Sequence, residues 1–151
     1  MRALIRRVLN ASVTVREECV GEISNGLLVY VGVSKDDTND DLIWISKKIL
    51  GVRIFEDSDQ RMNLSMCDLN RDILLVSQFT LYGSLKKGYR PSFNDAANPE
   101  VAFFHYEQFL NLMKRSYKGN IQSGQFGENM QIEAVDDGPV NLWLDSKSKN
   151  Y

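Results

Sequence analysis

Three short segments carry residue types that could do chemistry. Ser77-Gln78-Phe79-Thr80 closes the apolar run Ile73-Leu74-Leu75-Val76. A buried strand ending in Ser-Gln-x-Thr sets hydroxyls, an amide and backbone N–H groups at the edge of a sheet, donors suited to a carbonyl or an oxyanion. The same hydroxyls could end the strand by bonding local backbone, and spacing alone favours that simpler reading. Gly138-Pro139 stands between two alternating segments. Proline is the one residue before which a cis peptide is cheap, and glycine lets a ligand or a second backbone approach closely. On pattern alone an ordinary tight turn is the simpler account. The third segment, Lys86-Lys87-Gly88-Tyr89-Arg90, could meet a few phosphates with help from Arg6 and Arg7; the usual meaning of such a cluster is a solvated charged loop.

Other chemistries are excluded or weakened. His105 is the only histidine, which removes any zinc site built on two His ligands. A Ser-His-Asp or Cys-His apparatus would depend on that one residue, which falls beside an apolar helical stripe and reads as structural. Cys19 and Cys67 fit neither a disulfide framework nor a CxxC motif and read as reduced thiols. The run Asp36, Asp37, Asp40, Asp41 lacks the spacing of a calcium loop and reads as a solvated helix cap. Trp44 and Trp143 read as core or dimer contacts. No metal and no cofactor is implied. Lys plus Arg number 18 against 20 Asp plus Glu, a net charge of −2, which argues against a DNA or RNA binder working by broad phosphate neutralisation. No stretch reaches 18 apolar residues, so no membrane span is expected. Met1 to Arg7 has charges but no apolar run behind them and does not read as a secretory signal, so a cytoplasmic location is the expectation.

The elements that must position these segments follow from periodicity. The chain has 151 residues, 43% apolar and 25% charged, enough for one domain with a real core. Residues 2–9 and 12–16 read as two strands, and Leu27 to Val33 as a central strand covered on both faces. Thr38 or Asn39 caps a helix whose face is Leu42, Ile45, Ile49 and Leu50, with Gly51 placed to end it. Residues 52–55 read as a short strand, 56–70 as polar turns, and 83–98 as a loop long enough to suggest function. Asn98-Pro99-Glu100 starts a second helix with the stripe Phe103, Tyr106, Leu110, Met113 and Tyr117. Residues 130–135 and 140–144 alternate as strands around a turn at Asp137-Gly138-Pro139. The expected fold is one α/β (α+β) domain over residues 1–146, with mostly antiparallel sheets and two main helices. A polar tail, 147–151, is expected to fray.

At Ser77-Gln78-Phe79-Thr80-Leu81 the chain resembles the D-aminoacyl-tRNA deacylases, and the resemblance runs along nearly its whole length. It includes Arg6-Arg7-Val8, Ala11-Ser12-Val13-Thr14-Val15, Gly26-Leu27-Leu28-Val29 with Gly32-Val33, and Arg53-Ile54-Phe55 with Met62-Asn63-Leu64. It continues through Gly88-Tyr89-Arg90-Pro91-Ser92-Phe93, Gly124-Gln125-Phe126, Met130-Gln131 and Asp137-Gly138-Pro139-Val140. The family pattern around the last motif usually reads Asn-x-Gly-Pro-Val-Thr; here Asp136 replaces the Asn and Asn141 the Thr. The resemblance implies a barrel-like fold and a homodimer in which a cis Gly138-Pro139 peptide reaches the partner's site and faces Ser77 to Thr80. It implies hydrolysis of the ester between a D-amino acid and the terminal adenosine of tRNA, with mischarged glycine also accepted. The implied site has Phe79 and Thr80 at the scissile carbonyl, and Ser77, Gln78, Met130, Gly138 and Pro139 around the substrate. Arg7 would support the motif. The implied partner is the 3′ end of aminoacyl-tRNA, with no DNA and no membrane. Competing readings are a non-catalytic binder of RNA ends and a small-ester hydrolase unrelated to tRNA.

Overall fold

The computed structural model of the chain describes residues 1–150; Tyr151, the last residue of the expected tail, lies outside the described residues. The apolar run after Gly26 organises the architecture. It forms strand β3 (Gly26–Gly32), after β1 (Arg2–Val15) and β2 (Glu18–Ile23). Next come helix α1 (Asn39–Gly51), the short strands β4 (Phe55–Glu56) and β5 (Met62–Leu64), helix α2 (Met66–Leu69) and strand β6 (Asp72–Ser77). A 3₁₀ turn at Phe79–Tyr82, helix α3 (Pro99–Ser116), β7 (Ile121–Ser123) and β8 (Gln131–Asp145) complete the chain.

The main sheet runs β2-β1-β3-β6-β7, with β8 on the other side of β1. All three pairings of β1 are antiparallel, whereas β6 pairs in parallel with both β3 and β7. The sheet is therefore mixed, and β2 packs back toward β6 and β7 so that it nearly closes into a barrel. Burial on both faces explains the unbroken apolar runs of β3 and β6. Leu27, Val29, Val31, Ile73 and Leu75 face a core shared with α1 and α3. Leu28, Leu74 and Val76 face a smaller core inside the barrel with Val8, Ala11, Val13 and Ile23. Each such Leu or Ile side chain contributes about 1.5–3 kcal/mol on burial.

Several expected boundaries differ. Residues 2–9 and 12–16 are one strand, not two. Its inward side switches cores midway: Ala3 and Ile5 face the helices, Ala11 and Val13 the barrel interior. Leu9 bulges out at the switch, between the pairs Val8↔Asp136 and Asn10↔Val135. Residues 137–139 do not form a hairpin turn, because β8 runs through them as one strand beside β1. The expected strand at 52–55 shrinks to Phe55–Glu56. The polar stretch 56–70 hides α2, started by a Ser65–Asp68 capping box. Helix α1 includes Gly51 and is capped by Val52. Helix α3 starts as expected, with Asn98 Oδ1 accepting from the Val101 N–H at 2.9 Å, but Phe103 lies outside its buried face.

The expected fraying does not extend to Lys147. Its ammonium donates to an Asp41 carboxylate oxygen at 2.7 Å and to the Asp36 carbonyl at 2.8 Å. Burial raises the pKa of Asp41, but hydrogen bonds from Lys147, Ser146 and Thr38 outweigh it and hold the carboxyl well below its ordinary range.

Candidate active site

The site begins where the ladder of β6 ends. The Gln78 N–H donates to the Val31 carbonyl at 2.8 Å, and the next four residues wind into the 3₁₀ turn. That turn packs directly on the end of β3. A Cβ on Gly32 would lie 2.9 Å from the Gln78 carbonyl oxygen and 3.2 Å from Leu81 Cβ, so glycine is required for the approach. The first N–H groups of any helical turn lack partners within it. Here those of Phe79 and Thr80 have no partner among the described residues. The Thr80 hydroxyl accepts from the Gln78 amide. Phe79 is 56% exposed and meets Phe93 edge-on, with ring centroids 5.0 Å apart.

Ser77, Gln78, Phe79 and Met130 line one cavity of about 640 Å³, together with Phe93 and Phe126. Its only titratable lining groups are Tyr106 and Glu128. Burial pushes the Tyr106 phenol above its ordinary range, and its hydroxyl donates to the Leu75 carbonyl at 3.2 Å. It is therefore a neutral donor, not a base. Glu128 is held by Arg16 through two contacts of 2.9 and 3.0 Å. His105 is half-buried on α3, outside the lining, with its ring 5.7 Å from that of Phe104. The turn that carries the unpaired Phe79 and Thr80 N–H groups thus borders a cavity whose lining holds no nucleophile–base pair. Among the described residues no group of His, Cys, Asp or Glu could hold a metal ion.

Gly138 and Pro139 lie elsewhere. Between the pairs Val8↔Asp136 and Arg6↔Asn141, four residues of β8 oppose the single Arg7, and the excess forms a bulge. Its Gly138-Pro139 peptide is cis and Gly138 has φ +132°. Arg7, only 6% exposed, holds the bulge from below. Its Nε donates to the Asp137 carbonyl at 3.0 Å and lies 3.2 Å from the Asp137 carboxylate, while Nη1 donates to the Ile54 carbonyl. A Cβ on Gly138 would sit 2.9 Å from Arg7 Nη2. Arg6 binds Asp136 with contacts of 2.9 and 3.0 Å, so the residue that departs from the usual Asn forms an ion pair at the foot of the bulge. Neither Gly138, Pro139, Arg7 nor Thr80 lines the cavity of the same chain. Gly138 is eight residues beyond Met130, about 25 Å along an extended strand.

Near the bulge the sheet exposes three large apolar side chains, Leu9, Val135 and Trp143, 43–50% exposed, among the exposed polar residues Asn10, Glu133, Asp136 and Asn141. Trp44, by contrast, is half-buried, packs against the main core and carries Lys48 and Lys149 over its ring. Sequence reasoning did not assign Phe93, Tyr106, Phe126 or Glu128 to the site. Phe93 and Phe126 stand inside motifs that carried the resemblance, and that was the available signal.

The D-Tyr-tRNA(Tyr) deacylase family profile matches residues 4–145. A D-aminoacyl-tRNA deacylase of Thermosipho africanus is 50% identical over 97% of this chain and 98% of its own. The chain belongs to the D-aminoacyl-tRNA deacylase family. Another D-aminoacyl-tRNA deacylase, from Clostridium botulinum, is 47% identical over the full length of both chains. Among solved structures, the c-Myc DNA unwinding element binding protein superposes with a TM-score of 0.92 at 39% identity, covering 96% of this chain and 98% of that one. A probable eukaryotic D-amino acid tRNA deacylase shares the fold, with a TM-score of 0.80 at 18% identity over 95% and 97% of the two chains. Among the described residues of this deacylase-family chain, no helix is long and apolar enough to cross a membrane.

Proposed function

We propose that the chain hydrolyses the ester joining a D-amino acid to the 3′-terminal adenosine of tRNA, in the cytoplasm, through main-chain groups. The observation that carries this reading is the cavity itself: unpaired N–H groups of Phe79 and Thr80 beside a pocket whose one carboxylate, Glu128, is tied to Arg16. An ester next to a free ribose hydroxyl is already activated. Positioning it and stabilising its oxyanion are enough to accelerate hydrolysis. The N–H groups of Phe79 and Thr80 hold the scissile carbonyl, the vicinal 2′-hydroxyl assists the attack by water, and Ser77, Gln78 and Met130 shape the adenosine pocket.

Chirality is read by the Gly138-Pro139 bulge of a second copy. Its carbonyl oxygens hold the substrate's α-ammonium, and an L side chain collides with the motif. Glycine, lacking a side chain, passes the same filter. The position of the bulge supports a homodimer, since it stands well away from its own cavity along β8. The apolar side chains of Leu9, Val135 and Trp143 supply area for the contact.

The test is deacylation of matched D-tyrosyl-tRNA and L-tyrosyl-tRNA by purified protein over a dilution series. Rapid loss of the D ester alone, with specific activity falling on dilution, is expected. Binding without cleavage would leave an RNA-end binder. Equal cleavage of simple D-amino acid esters would leave a general esterase.

A further inference from the structure

The cavity carries no Lys or Arg in its lining. An aminoacylated RNA entering it still brings a phosphate backbone, which must meet its cations outside. Arg16, at the rim, is already held by Glu128. One other set of cations is rooted at the mouth.

Residues 85–91 form a closed excursion. Its feet are clamped by the reciprocal bonds of Ser84 and Ser92, at 2.8 and 2.9 Å. One foot leaves directly from the 3₁₀ turn, where the Gly83 N–H donates to the Thr80 carbonyl at 2.9 Å. The other enters Phe93, which lines the cavity and packs on Phe79. Every residue from Leu85 to Pro91 is exposed, and Tyr89 is wholly so. Lys86, Lys87 and Arg90 make no ion pair among the described residues. Three unpaired cations and a free aromatic ring therefore project beside the wall formed by Phe79 and Phe93. An excursion of seven residues reaches at most about 10–12 Å from its feet.

We infer that this loop is the contact for the single-stranded RNA preceding the terminal adenosine, with Lys86, Lys87 and Arg90 on its phosphates and Tyr89 available to stack on a base. The inference rests on the function proposed above for what enters the cavity. It reconciles a net-acidic chain with an RNA substrate: the positive charge is concentrated at one place, so few phosphates are neutralised.

The test uses the full chain and the exposed-surface variant Lys86→Gln/Lys87→Gln/Arg90→Gln. Binding of an uncharged RNA minihelix with a single-stranded CCA end is read by fluorescence anisotropy across salt concentrations. Hydrolysis of D-tyrosyl-adenosine, which has no preceding nucleotide, is read in parallel. The variant is expected to bind the minihelix about tenfold more weakly at 50 mM salt, and the slope of log affinity on log salt should shrink by about two, as three lost single-strand phosphate contacts require. Hydrolysis of D-tyrosyl-adenosine should be unchanged. Equal minihelix binding by variant and wild type would overturn the inference. So would an equal loss on both substrates, which would mean that the loop shapes the cavity. Unchanged RNA binding with lost adsorption to anionic vesicles would overturn it too and assign the loop to lipid. If wild type cleaves neither D-tyrosyl-tRNA nor D-tyrosyl-adenosine, the proposed function fails, and the anisotropy difference still decides the loop.

Discussion

The donor segment at Phe79 and Thr80 and the bulge at Gly138-Pro139 are separated in the sheet by β3 and β1, and different forces hold them. The first follows a strand buried on both faces, and Gly32 lets its turn lie directly on β3. Apolar burial fixes it, so the donors need no side-chain support. The second sits on a strand paired only with β1, opposite a single arginine. Charge and hydrogen bonds fix it: Arg7 from below and Arg6 at its foot. A stretch of main chain can thus be held in place either by packing or by guanidinium clamps. The clamped segment is the one exposed to single substitutions.

The contrast can be broken most strongly at Gly138. Gly138→Ala adds a methyl at positive φ, 2.9 Å from Arg7 Nη2. About 2–3 kcal/mol of local strain corresponds to a loss on the order of 100-fold in D-ester cleavage. The D/L rate ratio of the folded variant is the measurement, and an unchanged ratio would remove the motif from substrate selection. Next, Arg7→Ala leaves the Ile54 carbonyl and Asp137 without their partner. Unfolding stability should drop by about 3 kcal/mol in a denaturant titration, with a poorer D/L ratio. Thr80→Ala removes a hydroxyl but keeps the N–H, so the rate should stay within about fivefold of wild type. Near-complete loss, with an acyl-enzyme trapped in wild type, would make Thr80 a nucleophile instead. The smallest effect is expected for Asp136→Asn. Its ion pair with Arg6 is partly solvated, so the stability change should be under about 1 kcal/mol and should shrink further in high salt.

Which parts were legible in the sequence follows the same division. The doubly buried β3 and β6 and the caps at Thr38 and Asn98 were readable, because burial and capping leave local patterns. The segment Ser77 to Thr80 was visible only as a candidate; the family resemblance, not its spacing, raised it. The continuity of β1 was not readable. Leu9 and Asn10 break the alternation, and only the partner strand shows that the break is a bulge rather than a turn. The same holds at Asp137 to Pro139, where turn-forming residues sit inside a strand. Helix α2 was hidden by its length, since four residues carry no periodicity. The pairing of Arg6 with Asp136 joins residues 130 positions apart and has no local signature.

The bulge in β8 also counts residues. Before it, Ile132 and Ala134 point into the barrel; after it, Leu142 and Leu144 point toward the helices. Strand faces alternate with a period of two, so the number of residues in the excursion sets the parity of everything downstream. Loss of one residue between Asp137 and Val140 would turn Leu142 and Leu144 to solvent and bring Asn141 and Trp143 inward. The motif's length is therefore locked to the core by arithmetic, a constraint separate from the one that its glycine imposes.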